Sequence, residues 1–259
     1  MNRFVILMYH MVRDPGNDLE ARYACPPPRF EQHMRQLRKH GYQPVSLDTI
    51  WEHMLQGADL PEKAFAVTLD DGFEDNYLAA YPILCKYSVP ATIFLATGVI
   101  GKNNGWMSEL YPVRRMLTRE QILEMTKNEL ITFGAHTVNH PKLSQLNDSE
   151  AANEIVQCKQ EIEELTGSSC RYFAYPYGLF NQSTPELVKS AGYSLACSTR
   201  SGFNNSERNP YLLHRIEVYG SDPWWKLKQK MTFGINNASV TFPWQYYYGR
   251  IKDRFITHQ

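Results

Sequence analysis

The stretch VTLDDGFEDN, residues 67–76, ends an apolar run on two adjacent carboxylates and a glycine. The run AFAVTL (64–69) has the length and the β-branched and aromatic content of a buried strand. Asp70, Asp71 and Gly72 then stop it, as Asp and Gly do at turns. Taken alone, the segment reads as a strand closing in a turn, with the second acid free to cap the next helix. Asp75 and Asn76 read as first-turn residues of that helix, outside any site.

Outward from this strand, short apolar runs alternate with helical patterns, the order expected of βα units around a mainly parallel sheet. The strand candidates are FVILMY, AFAVTL, ATIFLA, LITFGA, RYFAY and YSLACS, several too apolar to leave one face in water, which places them in a covered sheet or barrel. FEQHMRQLRKHG closes on Gly41 and SEAANEIVQCKQEIEELTG on Gly167, while TPELVKSAG starts with Thr184 as N-cap and Pro185 in the first turn. No repeat or long linker divides residues 1–259, so one α/β domain is expected. CPPPRF and the insertion KNNGWMSELYPVRRM (102–116) read as decoration, the second long enough to suggest a functional loop. Residues 221–259, with Trp224, Trp225, Trp244 and Tyr246 to Tyr248, form an aromatic-rich C-terminal extension packed on or beside the barrel.

Hydrophobic residues make up 43% and charged residues 21%, as in ordinary globular proteins. Basic and acidic residues both total 27, so no cationic excess points to nucleic acid. The start, MNRFVILMYHMV, reads as a strand and not as a signal peptide, and no apolar stretch approaches the ~20 residues of a membrane span. Cytoplasmic residence is therefore expected. Five scattered cysteines without CxxC spacing argue against a disulfide framework and a thiolate zinc site.

FGAHTVNHPKLSQL (133–146) follows a strand and carries His136 and His140 four residues apart, a spacing that lets two imidazoles share one ion on a helical turn. Two histidines and one carboxylate make a three-ligand set with open positions, and the carboxylate left over can act as a base. If both segments end strands of one parallel sheet, these groups converge at its carboxyl edge, where α/β enzymes build active sites.

These motifs resemble those of the polysaccharide deacetylases of carbohydrate esterase family 4, the NodB-homology fold, from about residue 4 to about 220. VTLDDG is similar to the family's TFDDG with Leu69 in place of Phe, AHTVNH to its H-[ST]-x-x-H, and RYFAYPYG (171–178) to a divergent third motif. The resemblance implies a distorted (β/α)7-type barrel in which Asp71, His136 and His140 hold a divalent metal, commonly zinc, and Asp70 is the general base. It also implies that a backbone N–H near Tyr177 steadies the oxyanion.

The acid has two candidates. Leu212-Leu213-His214 matches the family's late Leu-x-His, whereas LMYHMV places His10 at the end of the first strand, as in the branch with an N-terminal MYH motif; His10 ranks first. Ala174 stands where the family has the arginine that orients the base, so Arg215 is the first substitute and Arg171 the second. Tyr175, Pro176, Tyr177 and Trp106 are expected along the sugar groove.

The resemblance implies removal of an N-acetyl group from an amino sugar of a surface polysaccharide or a lipid-linked glycan precursor, with the glycan as partner and the membrane surface as one place to meet it. Two alternatives stay open: hydrolysis of a formamide or cyclic amide of a small metabolite in the same fold, and a degenerate, non-catalytic member that binds carbohydrate or a partner. An open cleft with aromatic walls favours glycans, a closed pocket with a carboxylate-binding arginine favours small metabolites.

Overall fold

The six apolar runs form strands, all parallel, because each is buried on both faces. In the computed structural model, which describes residues 3–242, these are β1 (Val5–Tyr9), β3 (Ala64–Leu69), β4 (Ala91–Leu95), β5 (Ile131–Ala135), β6 (Tyr172–Ala174) and β7 (Leu195–Cys197). Two more strands, β2 (Gln43–Pro44) and β8 (Ile216–Glu217), are two residues each and carry no periodic signal; only pairing defines them. The sheet runs β7-β6-β5-β4-β3-β1-β8, with β2 beside β3. A parallel bridge between Cys197 and Leu213 draws its ends together, which curls the seven-strand path into the distorted barrel expected from the sequence.

Helices cover the outside: α1 (Pro27–Lys39), α2 (Leu47–Gln56), α3 (Tyr81–Tyr87), α4 (Arg119–Met125), α5 (Asp148–Thr166), α6 (Thr184–Ser190) and α7 (Trp224–Phe233). The longest, α5, opens on a capping box in which Asn147 Oδ1 accepts from Glu150 N–H and the Glu150 carboxylate accepts from Asn147 N–H, and it closes on left-handed Gly167. Two expected details differ. CPPPRF is not decoration, since its prolines, with φ already helical, open α1; and α6 takes Ser183, not Thr184, as its flanking residue.

Alternation along the strands divides the interior in two. Val5, Leu7, Tyr9, Phe65, Val67, Leu69, Phe173 and Tyr175 point outward into the apolar layer under the helices. Phe4, Ile6, Ala64, Ala66, Phe94, Leu195 and Cys197 point inward and fill the lower barrel. At Gly134 on β5 a Cβ would come within 2.6 Å of the Phe94 ring, so glycine is what lets that ring fill the barrel. Leu227 and Met231 of α7 join the outer layer; Trp244 and Tyr246 to Tyr248, expected to pack on the barrel, lie outside the described residues. All five cysteines are free thiols. No helix among the described residues is long and apolar enough to cross a membrane.

Candidate active site

Three strands each deliver one inward-facing polar side chain at the carboxyl edge: His10 after β1, Asp70 after β3 and His136 after β5. With Asp71, His140, Trp106 and Tyr177 they line a cavity of about 460 Å³. Asp71 reaches it because its backbone is left-handed (φ 76°), followed by Gly72 at φ 79°, so neighbouring carboxylates diverge. His140 and Tyr177 also have positive φ, so three of the six such non-glycine residues described line one cavity, and a fourth, Thr137, sits between His136 and His140 in the chain. Backbone strain of this kind persists where surrounding structure enforces it, and it clusters at working sites.

Asp71 Oδ1 lies 3.4 Å from His136 Nε2 and 3.2 Å from His140 Nε2, and the three donor atoms fall within 4.8 Å of one another. Yet Asp71 Oδ1 is buried and accepts no hydrogen bond, so contact without bonding leaves its lone pair aimed at a shared centre. The His136 Nδ1–H donates to the Ala174 carbonyl at 2.7 Å, which fixes the tautomer with a bare Nε2 facing that centre. His140 has no such outer partner, since its Nδ1 is buried and unbonded; its ring is instead stacked on Trp106 at 4.6 Å and packed edge-on against Tyr177 at 4.6 Å. Two imidazole nitrogens and one carboxylate oxygen, each without a proton donor, fit a divalent cation. In the absence of an ion, burial works against ionisation of Asp71, but His136 and His140, when they carry the proton that an ion would displace, hold its carboxyl well below the usual range.

Asp70 is fully engaged by Arg215, Nη1 donating to Oδ1 at 2.6 Å and Nη2 to Oδ2 at 2.7 Å. The same guanidinium donates to Thr68 Oγ1 and, through Nε, to the Ser198 carbonyl. Burial alone raises the Asp70 pKa; the charge of Arg215, followed by that of His136, brings it below the ordinary value. Arg215, the first substitute expected, thus lies in contact with Asp70. Arg171 does not, because it pairs with Asp48 beside a separate pocket lined by Thr132, Thr166 and Tyr172.

Strand parity also separates the two candidate histidines. His10 continues the inward series Phe4, Ile6, Met8 and lines the cavity, its ring edge-on to Tyr23 at 5.2 Å. Leu213, Arg215 and Glu217 face inward on and before β8, so His214 is sent the other way, where Arg208 Nη1 donates to its Nε2 at 3.0 Å. The expectation that His214 is an acid at this cavity is therefore corrected. Tyr175 is corrected for the same reason: it faces outward, fully buried, and its hydroxyl donates to the Tyr211 carbonyl. Pro176 is buried and shapes the turn that carries Tyr177 without lining the cavity.

Asp75 and Asn76 begin the helical segment after the motif, but they do more than that. The Val12 N–H donates to Asp75 Oδ1 at 2.8 Å and Asn76 Nδ2 donates to the His10 carbonyl at 2.8 Å, so both ends of the His10 turn are tied down. Arg22, Tyr23, Met107, Tyr111, Thr199 and Glu217 also line the cavity, and sequence reasoning misses them. Glu217 alone has a readable signal, since it stands two residues beyond Arg215 and shares its face.

A sequence profile of the polysaccharide deacetylase family matches residues 57–196. YxkH of Bacillus subtilis strain 168 is 32% identical over 213 residues, 82% of this chain and 70% of its own length. The poly-β-1,6-N-acetyl-D-glucosamine N-deacetylase of Staphylococcus aureus is 27% identical over 204 residues, 76% of this chain and 68% of its own. The solved Streptococcus pyogenes deacetylase PplD, in complex with acetate, superposes with a TM-score of 0.77 at 27% identity, covering 88% of this chain and 98% of that one.

Proposed function

The chain belongs to the polysaccharide deacetylase family, and from that premise we propose that it hydrolyses N-acetyl groups on amino sugars of a surface polysaccharide with a divalent ion, zinc first, held by Asp71, His136 and His140. The observation that carries this reading is the junction of two motifs in one cavity: an ion site from Asp71, His136 and His140, beside a carboxylate, Asp70, that Arg215 keeps ionised. When bound, the ion supplies Lewis acidity toward the acetyl carbonyl and acidifies water.

The protein's own groups supply the rest. Asp70 takes the proton of the water that attacks the acetyl carbon, which needs an ionised, oriented base. The Tyr177 backbone N–H, in the turn behind Pro176, donates to the oxygen on which charge develops. As the C–N bond breaks, His10 gives its proton to the departing amine. The Asn76 and Asp75 hydrogen bonds hold the turn from which His10 projects, so geometry is set before the substrate arrives. His10 at the end of β1 supports membership of the branch with an N-terminal MYH motif.

Aromatic walls from Tyr23, Trp106, Tyr111 and Tyr177 support a glycan over a small acid metabolite, and the arginine on the wall, Arg22, is occupied by Glu217. Cytoplasmic residence and a lipid-linked precursor as substrate belong to the same proposal, checked by fractionation and by assay of lipid-linked acetylated sugars. The main test is metal content together with acetate release from N-acetylglucosamine oligomers. One equivalent of divalent metal and acetate release abolished by a chelator are expected; metal without any acetate release would refute the deacetylase reading.

A further inference from the structure

Glu217 and Arg22 stand in the cavity wall with no part in the chemistry just described. Glu217 follows Arg215 by two residues, so β8 turns both side chains inward, Arg215 to the base and Glu217 to the space above it. Its backbone is fixed on both sides: its N–H donates to Asn236 Oδ1 at 2.9 Å, and Lys230 Nζ donates to its carbonyl at 2.8 Å. Arg22 Nε donates to Glu217 Oε1 at 3.0 Å and Nη2 to Oε2 at 2.8 Å, a planar fork, while its guanidinium lies over the Tyr23 and Tyr219 rings. Tyr23 is also the ring packed against His10, so one short segment covers the acid and supplies the arginine.

The pair therefore offers rigid acceptors and donors side by side on a cavity wall. Each carboxylate oxygen takes one hydrogen bond from Arg22 and keeps acceptor capacity, and Arg22 Nη1 makes none of the hydrogen bonds to Glu217. A ring with neighbouring hydroxyls, each both donor and acceptor, matches that pattern, whereas a lone cation or anion would meet a charge already neutralised. We propose that Glu217 and Arg22 form a hydroxyl-binding subsite that orients the pyranose ring of the substrate, so that its acetamido group turns toward Asp70 and Asp71. This rests on the deacetylase reading above.

The test compares zinc-loaded wild type, Glu217→Gln and Arg22→Lys on N-acetylglucosamine oligomers, on their monodeoxy analogues and on 4-nitrophenyl acetate, which has an acetyl group but no sugar. Losing a hydrogen bond to a charged group predicts a fall of about 10- to 100-fold in kcat/KM on the oligomer for Glu217→Gln. Aryl acetate hydrolysis should stay within about twofold. Wild type should also discriminate against one deoxy analogue, and Glu217→Gln should lose that discrimination; Arg22→Lys should shift both readouts the same way by less. Equal losses on oligomer and aryl acetate, or unchanged discrimination among deoxy analogues, would reduce the pair to a clamp on its loop and overturn the proposal. Calorimetric titration of the oligomer into the protein reads the subsite without turnover. Equal affinity of wild type and Glu217→Gln there also overturns the subsite, whereas weaker binding by the variant with no acetate release from wild type sustains it and strikes the deacetylase reading instead.

Discussion

Neighbouring residues at the top of one strand live in different media. Tyr9, Leu69, Ala135 and Tyr175 face the helices in an apolar layer, while His10, Asp70 and His136, each next to one of them, face the cavity. The inner face itself changes along the barrel axis, from Phe4, Ile6, Ala66 and Leu195 below to Thr68, Arg215 and Asp70 above. Because both faces are buried, the strands carry no polar alternation until their last residue, and there a single step in register decides between packing and chemistry.

The sharpest way to break this contrast is to change one residue on each side of that step. Asp70→Asn keeps the shape but removes the base and sets an amide NH2 against one of the Arg215 donors, so kcat should fall about 10³-fold, within the range for general base catalysis. Bound metal should stay at the wild-type level, because Asp71, His136 and His140 are untouched. Leu69→Met, one residue earlier and outward, should cost under about 1.5 kcal/mol of stability and leave kcat alone. A retained tenth of wild-type kcat in Asp70→Asn would end its assignment as base; metal analysis and steady-state rates are the measurements.

The histidines give the next effect. His10→Ala should lower kcat about 10²-fold, whereas His214→Ala should leave it within about twofold, since its ring sits with Arg208 on the other side of its strand. A reversed order would mean that Leu-Leu-His and not Met-Tyr-His carries the acid. Asp75, holding the His10 turn, offers an effect read in stability.

Burial pushes the Asp75 carboxyl up to about 6, against the Val12 N–H and Arg13, which pull it down; Glu20 and Arg114 are the other charges it feels. Its folded pKa thus lies above its unfolded one. Between about pH 4 and pH 6 the folded chain holds a proton that the unfolded chain has released, so this group makes stability fall as pH rises through that window. Asp75→Asn, which can still accept from Val12, should remove the slope, gaining about 2 kcal/mol on wild type from pH 4 to pH 6. Denaturant titrations across that range check it; a wild-type-to-variant difference that stays flat would show that Asp75 does not titrate there.

Much of this is legible in the chain because it depends on local pattern. Six strands announce themselves as apolar runs, and DDG with HTVNH points to the candidate ion site through residue type. His136 and His140 meet over bent backbone, with positive φ at Thr137 and His140, and not over the helical turn expected from their spacing. Arg215 stands out once Ala174 is seen to displace an arginine that the base needs from elsewhere. The features that escape depend on register or on contacts far apart in sequence. The two-residue strands β2 and β8 have too few positions to show a period, and without β8 there is no parity to exclude His214, while Glu217 is readable only by its two-residue offset from Arg215. Asp75 and Asn76 bond to residues more than 60 positions away, which no local rule for helix starts contains.

The smallest effect probes the outer face. Adjacency to Pro176 and Tyr177 makes Tyr175 look like a groove residue, yet its ring packs against Phe173 and Phe180 and its hydroxyl donates to the Tyr211 carbonyl at 2.9 Å. Tyr175→Phe keeps the packing and removes that one bond, leaving a carbonyl short of a partner, a loss of about 1 kcal/mol or a Tm lower by about 2–4 °C. Turnover on oligomers should not change, because no atom of Tyr175 lines the cavity. Tyr177→Ala, two residues on, should do the reverse: with the ring half exposed its loss costs little stability, but His140 loses one of the two rings that hold it, so metal affinity and rate should drop together. If Tyr175→Phe instead slowed turnover with an unchanged Tm, the face assigned to β6 would be wrong, and the parity that separates His10 from His214 would have to be drawn again from that strand outward.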